Sequence, residues 1–144
     1  MTNLRLIADI GGTNVRIVVA KDGEFNSEDI PEHKATTTAD IIQLFRDCLK
    51  ETDVSTPIEA VIAVAAPVTG DIVTMTNRNW TFSTAELERN LGFSKLTVVN
   101  DFVGVAMAIP CLLPEERLDF GRGIADPEGS TAVIGLAQGS GLQV

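Results

Sequence analysis

The sequence is poor in the side chains that build metal centres and disulfide frameworks. It holds two cysteines, Cys48 and Cys111, far apart and without C-x-x-C spacing, so a thiol redox motif or cysteine-ligated zinc is excluded. Both sit among apolar neighbours and read as reduced core thiols of a cytosolic protein. His33 is the only histidine, in the charged stretch Glu32-His33-Lys34, which rules out a histidine-cluster metal site. Basic residues are scarce: eleven against twenty acids, for a net charge of −9. A phosphate backbone needs clustered Lys and Arg, so nucleic acid is excluded as a main partner, and an anionic membrane surface is disfavoured. Long apolar runs are missing too. Phe102–Pro114 and Gly129–Val144 are too short or too glycine-rich to span a bilayer, and no signal-peptide pattern opens the chain. A cytoplasmic location is expected.

What is present is ordinary globular material. With 144 residues, 44% hydrophobic and 22% charged, the chain can bury about 68–70% of its unfolded surface without staples. Leu4–Ala8 and Val15–Val19 are short apolar runs joined by Gly11-Gly12, a pair that tolerates positive φ in a hairpin turn. A third strand is expected near Phe25–Ile30, after the turn Lys21-Asp22-Gly23-Glu24. Thr37 and Asp40 form a capping box ahead of Ile41, Leu44, Phe45, Cys48 and Leu49, which share one helical face. Ala60–Ala65 reads as a buried strand. Ser83 and Glu86 cap a second helix that stops at Gly92, and Leu96–Val99 is the next strand. Phe102–Ile109 is apolar all round, so a helix there is expected to be largely buried. Thr131–Leu136 reads as a last strand. Strands alternating with helices place the chain in the α/β class, with part of its sheet parallel.

Three elements can carry chemistry. In Asp9-Ile10-Gly11-Gly12-Thr13-Asn14 a glycine turn lets backbone amides approach an anion, and a carboxylate at the strand end can hold a phosphate-bound Mg²⁺ through water. Its plain structural reading is a hairpin in which Asp9 caps the turn. Asn100-Asp101 stands between a strand and a helix, where an α/β sheet opens its ligand crevice. A carboxylate there can accept a hydroxyl proton while the neighbouring amide orients the substrate; the plain reading is a helix cap. Gly139-Ser140-Gly141 follows the last strand as a second phosphate-binding turn would, or as any loose end might.

The joint order of these stretches resembles the bacterial glucokinase family, within the actin-like group of sugar kinases and heat-shock ATPases. The resemblance rests on Ala8-Asp9-Ile10-Gly11-Gly12-Thr13-Asn14-Val15-Arg16, Ala65-Ala66-Pro67-Val68-Thr69-Gly70-Asp71 and Met75-Thr76-Asn77-Arg78-Asn79-Trp80. It continues through Asn90-Leu91-Gly92-Phe93, Asn100-Asp101-Phe102 and Met107-Ala108-Ile109-Pro110. It implies a ribonuclease-H-like, actin-like ATPase fold with a mixed sheet and flanking helices. It also implies transfer of the ATP γ-phosphoryl group to the 6-hydroxyl of glucose.

By position, the resemblance makes Asp101 the catalytic base and Asn100 a sugar-binding amide. Asp9, Gly11, Gly12, Thr13 and Asn14 become the first phosphate loop, with Asp9 near the Mg²⁺. Gly139, Ser140 and Gly141 become the second, with Ser140 where Thr is usual and Gln143 in place of a glycine. Residues 1–110 are then expected to form a small α/β domain and residues 111–144 the start of a larger one. The chain ends mid-pattern at Gly141-Leu142-Gln143-Val144, as a truncated domain would, and the family's remaining sugar contacts and adenosine site lie beyond it. Glucose and ATP–Mg²⁺ are the expected ligands, and a homo-oligomer the expected assembly. Two other readings stand beside this one: a non-catalytic module that binds a sugar or a partner protein, and a kinase for a related hexose.

Overall fold

A computed structural model describes residues 3–26, 28, 30–35, 37–51, 58–75, 79–121, 123–124, 126, 128–137 and 141–143. The chain divides into two compact units, Met1–Asp101 and Phe102–Val144. The first is built on a five-stranded mixed sheet. Its strands are β1 (Leu4–Ile10), β2 (Asn14–Lys21), β3 (Glu32–Lys34), β4 (Ile58–Val64) and, after the hairpin strands β5 (Ile72–Met75) and β6 (Trp80–Ser83), β7 (Lys95–Asn100). The spatial order is β3-β2-β1-β4-β7. β1, β2 and β3 pair antiparallel, whereas β1, β4 and β7 run parallel. Two helices belong to this unit, α1 (Thr38–Lys50) and α2 (Thr84–Leu91).

Alternation explains one face of the sheet. Leu4, Leu6, Ala8 and Ile10 of β1 are buried, as are Val15 and Ile17 of β2 and Ile58, Ala60, Ile62 and Val64 of β4. Ile41 and Phe45 of α1 and Leu87 of α2 join the same core, so the helices cover this face. The β5–β6 hairpin, which no sequence signal above had singled out, adds Val73, Met75, Trp80 and Phe82. The Trp80 and Phe82 rings stack with centroids 4.3 Å apart. On the opposite face Ile7 and Val61 remain 37% and 39% exposed. Parallel strands are apolar on both faces, so this exposure follows from covering only one of them.

The helix ends follow local chemistry. Thr37 accepts from the Asp40 amide while the Asp40 carboxylate accepts from the Thr37 amide, the expected reciprocal box. At α2, Ser83 accepts from the Glu86 amide, but no reciprocal box forms and Asp71 supports the cap instead. Its carboxylate accepts from the Ser83 hydroxyl at 2.6 Å and from the Ala85 amide at 2.8 Å. Glu88 accepts from the Leu96 amide at 2.6 Å, tying α2 to β7. Gly92 ends the helix at φ 71°, where a side chain is disfavoured.

Four expectations are corrected. Cys111, expected as a core thiol, is exposed, and Cys48 is half-buried. The third strand is Glu32–Lys34 rather than Phe25–Ile30: its pairing with Asn14–Arg16 sets the register, and propensity near Phe25 does not. The last strand begins at Gly135, so Thr131–Ile134 carries no regular structure; β8 (Gly135–Ala137) pairs antiparallel with β9 (Gly141–Gln143). The helix after Asn100, α3 (Asp101–Ala108), has no buried residue, and Val103, Val105 and Met107 are 45%, 53% and 70% exposed. An apolar helix implies a covering surface, but that surface need not lie within the same 144 residues.

Candidate functional site

Parallel pairing brings three strand ends to one edge. Ile10 of β1, Val64 of β4 and Asn100 of β7 lie on a single register line. The β1–β2 glycine turn, the segment leaving β4 and Asn100-Asp101 are therefore neighbours, although 90 residues separate the first from the last. The β4 exit is stitched to both sides. The Ala65 amide donates to the Ile10 carbonyl at 3.2 Å, and the Asn100 side-chain amide donates to the Ala66 carbonyl at 3.0 Å. This accounts for Ala65-Ala66 in the motif: small residues let the exit segment sit close between its neighbours. It also orients Asn100 before any ligand arrives. Asp101 is the first residue of α3 and is half-buried.

Asp9 lies on the uncovered face, one residue before the end of β1. Its carboxyl is pushed above the usual range, chiefly because neighbouring atoms exclude part of its water. Arg16 opposes that shift, and the charge of Asp101 adds to it. Asp9, Gly11, Gly12, Thr13 and Asn14 line one open pocket of about 230 Å³, together with Arg16 and Glu32. Asn100 and Asp101 share the sheet edge with this pocket but are not among its lining residues.

The turn is tighter than a run of free amides. The Gly11 amide donates to the Asn14 carbonyl at 3.0 Å, closing the hairpin, so it does not face the pocket as a spare donor. Gly11 does not use a positive φ, and a Cβ there would meet only the Asn14 carbonyl oxygen at an ordinary 3.5 Å. The turn therefore does not itself require glycine at position 11. Among the described residues nothing accepts from the Gly12 and Thr13 amides, which leaves two adjacent donors for an anion.

The donor set suits a magnesium–phosphate pair. The Asp9 carboxylate has no hydrogen-bond partner among the described residues, and no cluster of three or more metal-ligating side chains occurs among them. Mg²⁺ fits that pattern, since it keeps its water and takes one or two carboxylates plus substrate phosphates rather than an all-protein cage. Gly139 and Ser140 lie outside the described residues, and Gly141 is known only as the first residue of β9. Thr76, Asn77 and Arg78 likewise lie outside them.

Sequence reasoning left Arg16 and Glu32 without a site role. Their signal was available only through pairing, because Arg16 is the direct cross-strand partner of both Asp9 and Glu32. Asp71 and Trp80, carried in the resemblance motifs, prove architectural: one caps α2 and the other is 1% exposed in the core.

Known proteins have chains related to this one in sequence and fold. Two curated relatives, glucokinases of Cronobacter sakazakii and Salmonella arizonae, are 39% and 41% identical over 145 residues. Each alignment covers 99% of this chain but 44% of the relative, so the chain spans less than half the length of the curated relatives it matches. Among solved structures, glucokinase from an Antarctic psychrotroph is 32% identical with a TM-score of 0.65, over 87% of this chain and 40% of that one. Glucokinase from Balamuthia mandrillaris in complex with glucose shares the fold at 24% identity and a TM-score of 0.58, over 75% of this chain and 32% of that one. The glucokinase family model matches residues 6–144. Because that model spans nearly the whole sequence, the chain belongs to the glucokinase family.

Proposed function

We propose that the protein carrying this chain is a glucokinase, phosphorylating glucose to glucose 6-phosphate with ATP. The observation that carries the reading is the common edge of the sheet. The Ile10–Val64–Asn100 register puts a carboxylate with a neighbouring amide beside a glycine turn that still has two free donors. Phosphoryl transfer asks mainly for positioning and charge stabilisation, and these groups supply both.

Asp101 is the base that accepts the proton of the attacking sugar hydroxyl. Asn100, pinned through its amide nitrogen to Ala66, orients the same sugar. Gly12 and Thr13 donate to a nucleotide phosphate, with Gly11 and Asn14 holding the turn closed around them. Asp9 would hold the Mg²⁺ that accompanies the nucleotide, through water, and the ion would neutralise charge on the phosphates. The second phosphate turn is assigned to Gly139, Ser140 and Gly141. Residues 1–110 act as the small domain and residues 111–144 as the start of the large one, in a cytoplasmic protein. Because the chain spans less than half the length of its relatives, the 144 residues by themselves are expected to turn over little or no glucose.

The test is glucose-dependent ADP formation by the full-length protein and its Asp101→Asn variant. Turnover that falls about 10²- to 10⁴-fold in the variant supports the assignment. A wild-type protein that consumes no ATP with glucose, or a variant that keeps its rate, overturns it. Exposed Val103, Val105 and Met107 on α3 favour a second reading, a non-catalytic partner-binding module. Light scattering decides there, because a clean monomer of the 144-residue chain counts against self-association through that surface.

A further inference from the structure

One row of side chains crosses three strands on the uncovered face of the sheet. Glu32 of β3 is the direct partner of Arg16 on β2, and Arg16 is the direct partner of Asp9 on β1. A single guanidinium therefore stands between two carboxylates. Facing Cβ atoms on such a row are roughly 4.5–5.5 Å apart, so a side chain as long as arginine can reach either neighbour. Arg16 donates from Nη2 to Oε1 of Glu32 at 2.9 Å and makes no hydrogen bond to Asp9. All three residues line the pocket that also holds Gly12 and Thr13.

The ion pair does little for folding. Its side chains are 56% and 44% exposed, and pairs of that kind contribute only modestly to stability. Its consequence is local. With the guanidinium drawn to the outer strand, the oxygens of Asp9 stay open toward the pocket. Without the outer carboxylate, Asp9 is the one carboxylate left on that row. A guanidinium resting on it would cover its oxygens with charge-assisted hydrogen bonds and cancel its charge.

We infer that Glu32 is a positioning residue: it holds Arg16 at the outer edge of the pocket and thereby keeps the Asp9 carboxylate available to a hydrated divalent cation arriving with a nucleotide phosphate. This rests on the reading of Asp9 given under the proposed function. A carboxylate lining a phosphate pocket otherwise works against binding through like charge, so the inference and simple repulsion predict opposite signs when Glu32 is neutralised.

The experiment is a titration of the full-length protein with Mn²⁺ and ADP, without glucose, following bound Mn²⁺ by electron paramagnetic resonance. Glu32→Gln is expected to weaken Mn²⁺–ADP binding about three- to fivefold, the range set by losing one exposed ion pair. Glu32→Asp should recover part of the loss. In an Arg16→Gln background Glu32→Gln should change nothing further, since the intermediary is gone. Unchanged or tighter binding in Glu32→Gln overturns the inference. So does equal weakening in the Arg16→Gln background, which would make Glu32 act by itself. A wild-type protein that binds no Mn²⁺–ADP overturns the nucleotide reading of the pocket, and this inference with it.

Discussion

On top of burial, which raises the proton affinity of Asp9 on β1 most, the charge of Asp101 at the start of α3 raises it further, although the whole of β4 lies between β1 and β7. Two strand spacings, about 10 Å, separate β1 from β7, close to one Debye length at physiological salt, and Asp101 lies beyond Val99, which ends the row of Asp9. The charge assigned to proton transfer therefore reaches the carboxylate assigned to the cation before a ligand is present.

Neutralising Asp101 tests both halves of that relationship. Besides the loss of turnover already stated, Asp101→Asn should lower the Asp9 titration midpoint, because a like charge has been removed. Carboxyl ¹³C titration of aspartate-labelled protein reads this directly. The shift should shrink in high salt.

Asp9 bears on stability with a definite sign. Its folded-state proton affinity is raised above the usual 3.8, so the folded chain favours the protonated form. Stability therefore falls as pH climbs from 3.8 through the folded midpoint, and the penalty persists at neutral pH. Asp9→Asn should remove that penalty, raising the thermal midpoint modestly at pH 7 while abolishing glucose phosphorylation. Scanning calorimetry at pH 4 and pH 7 should show the gain at the higher pH.

Asp71 has the opposite sign. Hydrogen bonds from the Ser83 hydroxyl and the Ala85 amide hold its carboxyl below the usual 3.8. Its contribution is present above 3.8 and disappears as pH falls through the lowered folded midpoint. Asp71→Asn should unfold at lower temperature than wild type at pH 7, with the difference closing in acid.

Gly92 carries a backbone demand. At φ 71° it ends α2, and Gly92→Ala should cost about 1–2 kcal/mol in urea denaturation with little change in slope. Nothing stands within 4 Å of a Cβ built there, so backbone conformation is the sole source of the loss.

Phe45 tests the core. It is fully buried between α1 and the sheet, and Phe45→Ala should destabilise by about 3–5 kcal/mol through lost burial and the cavity left behind. Denaturant unfolding of the purified protein measures it.

Much of this architecture could be read from the residue order because its causes are local. Alternating apolar residues marked β1, β2, β4 and β7, and the Thr37–Asp40 box and Gly92 marked the limits of α1 and α2. The β5–β6 hairpin went unread, though Val73 and Met75 alternate with Ile72 and Thr74 as a half-buried strand should. Asp9, Gly12 and Asn100-Asp101 taken singly read equally as a hairpin turn and a helix cap, and only the joint order of the motifs marked them as a site. Capping, turn formation and side-chain alternation act over a few residues, which is why sequence by itself determined them. Tertiary structure alone decided that β4 would lie between β1 and β7, that Asp71 would complete a cap 12 residues away, and that one guanidinium would stand between Asp9 and Glu32. The exposure of α3 belongs with these. Each depends on which distant segments pack together, and packing is settled by the register and burial of the whole sheet rather than by any window of neighbours.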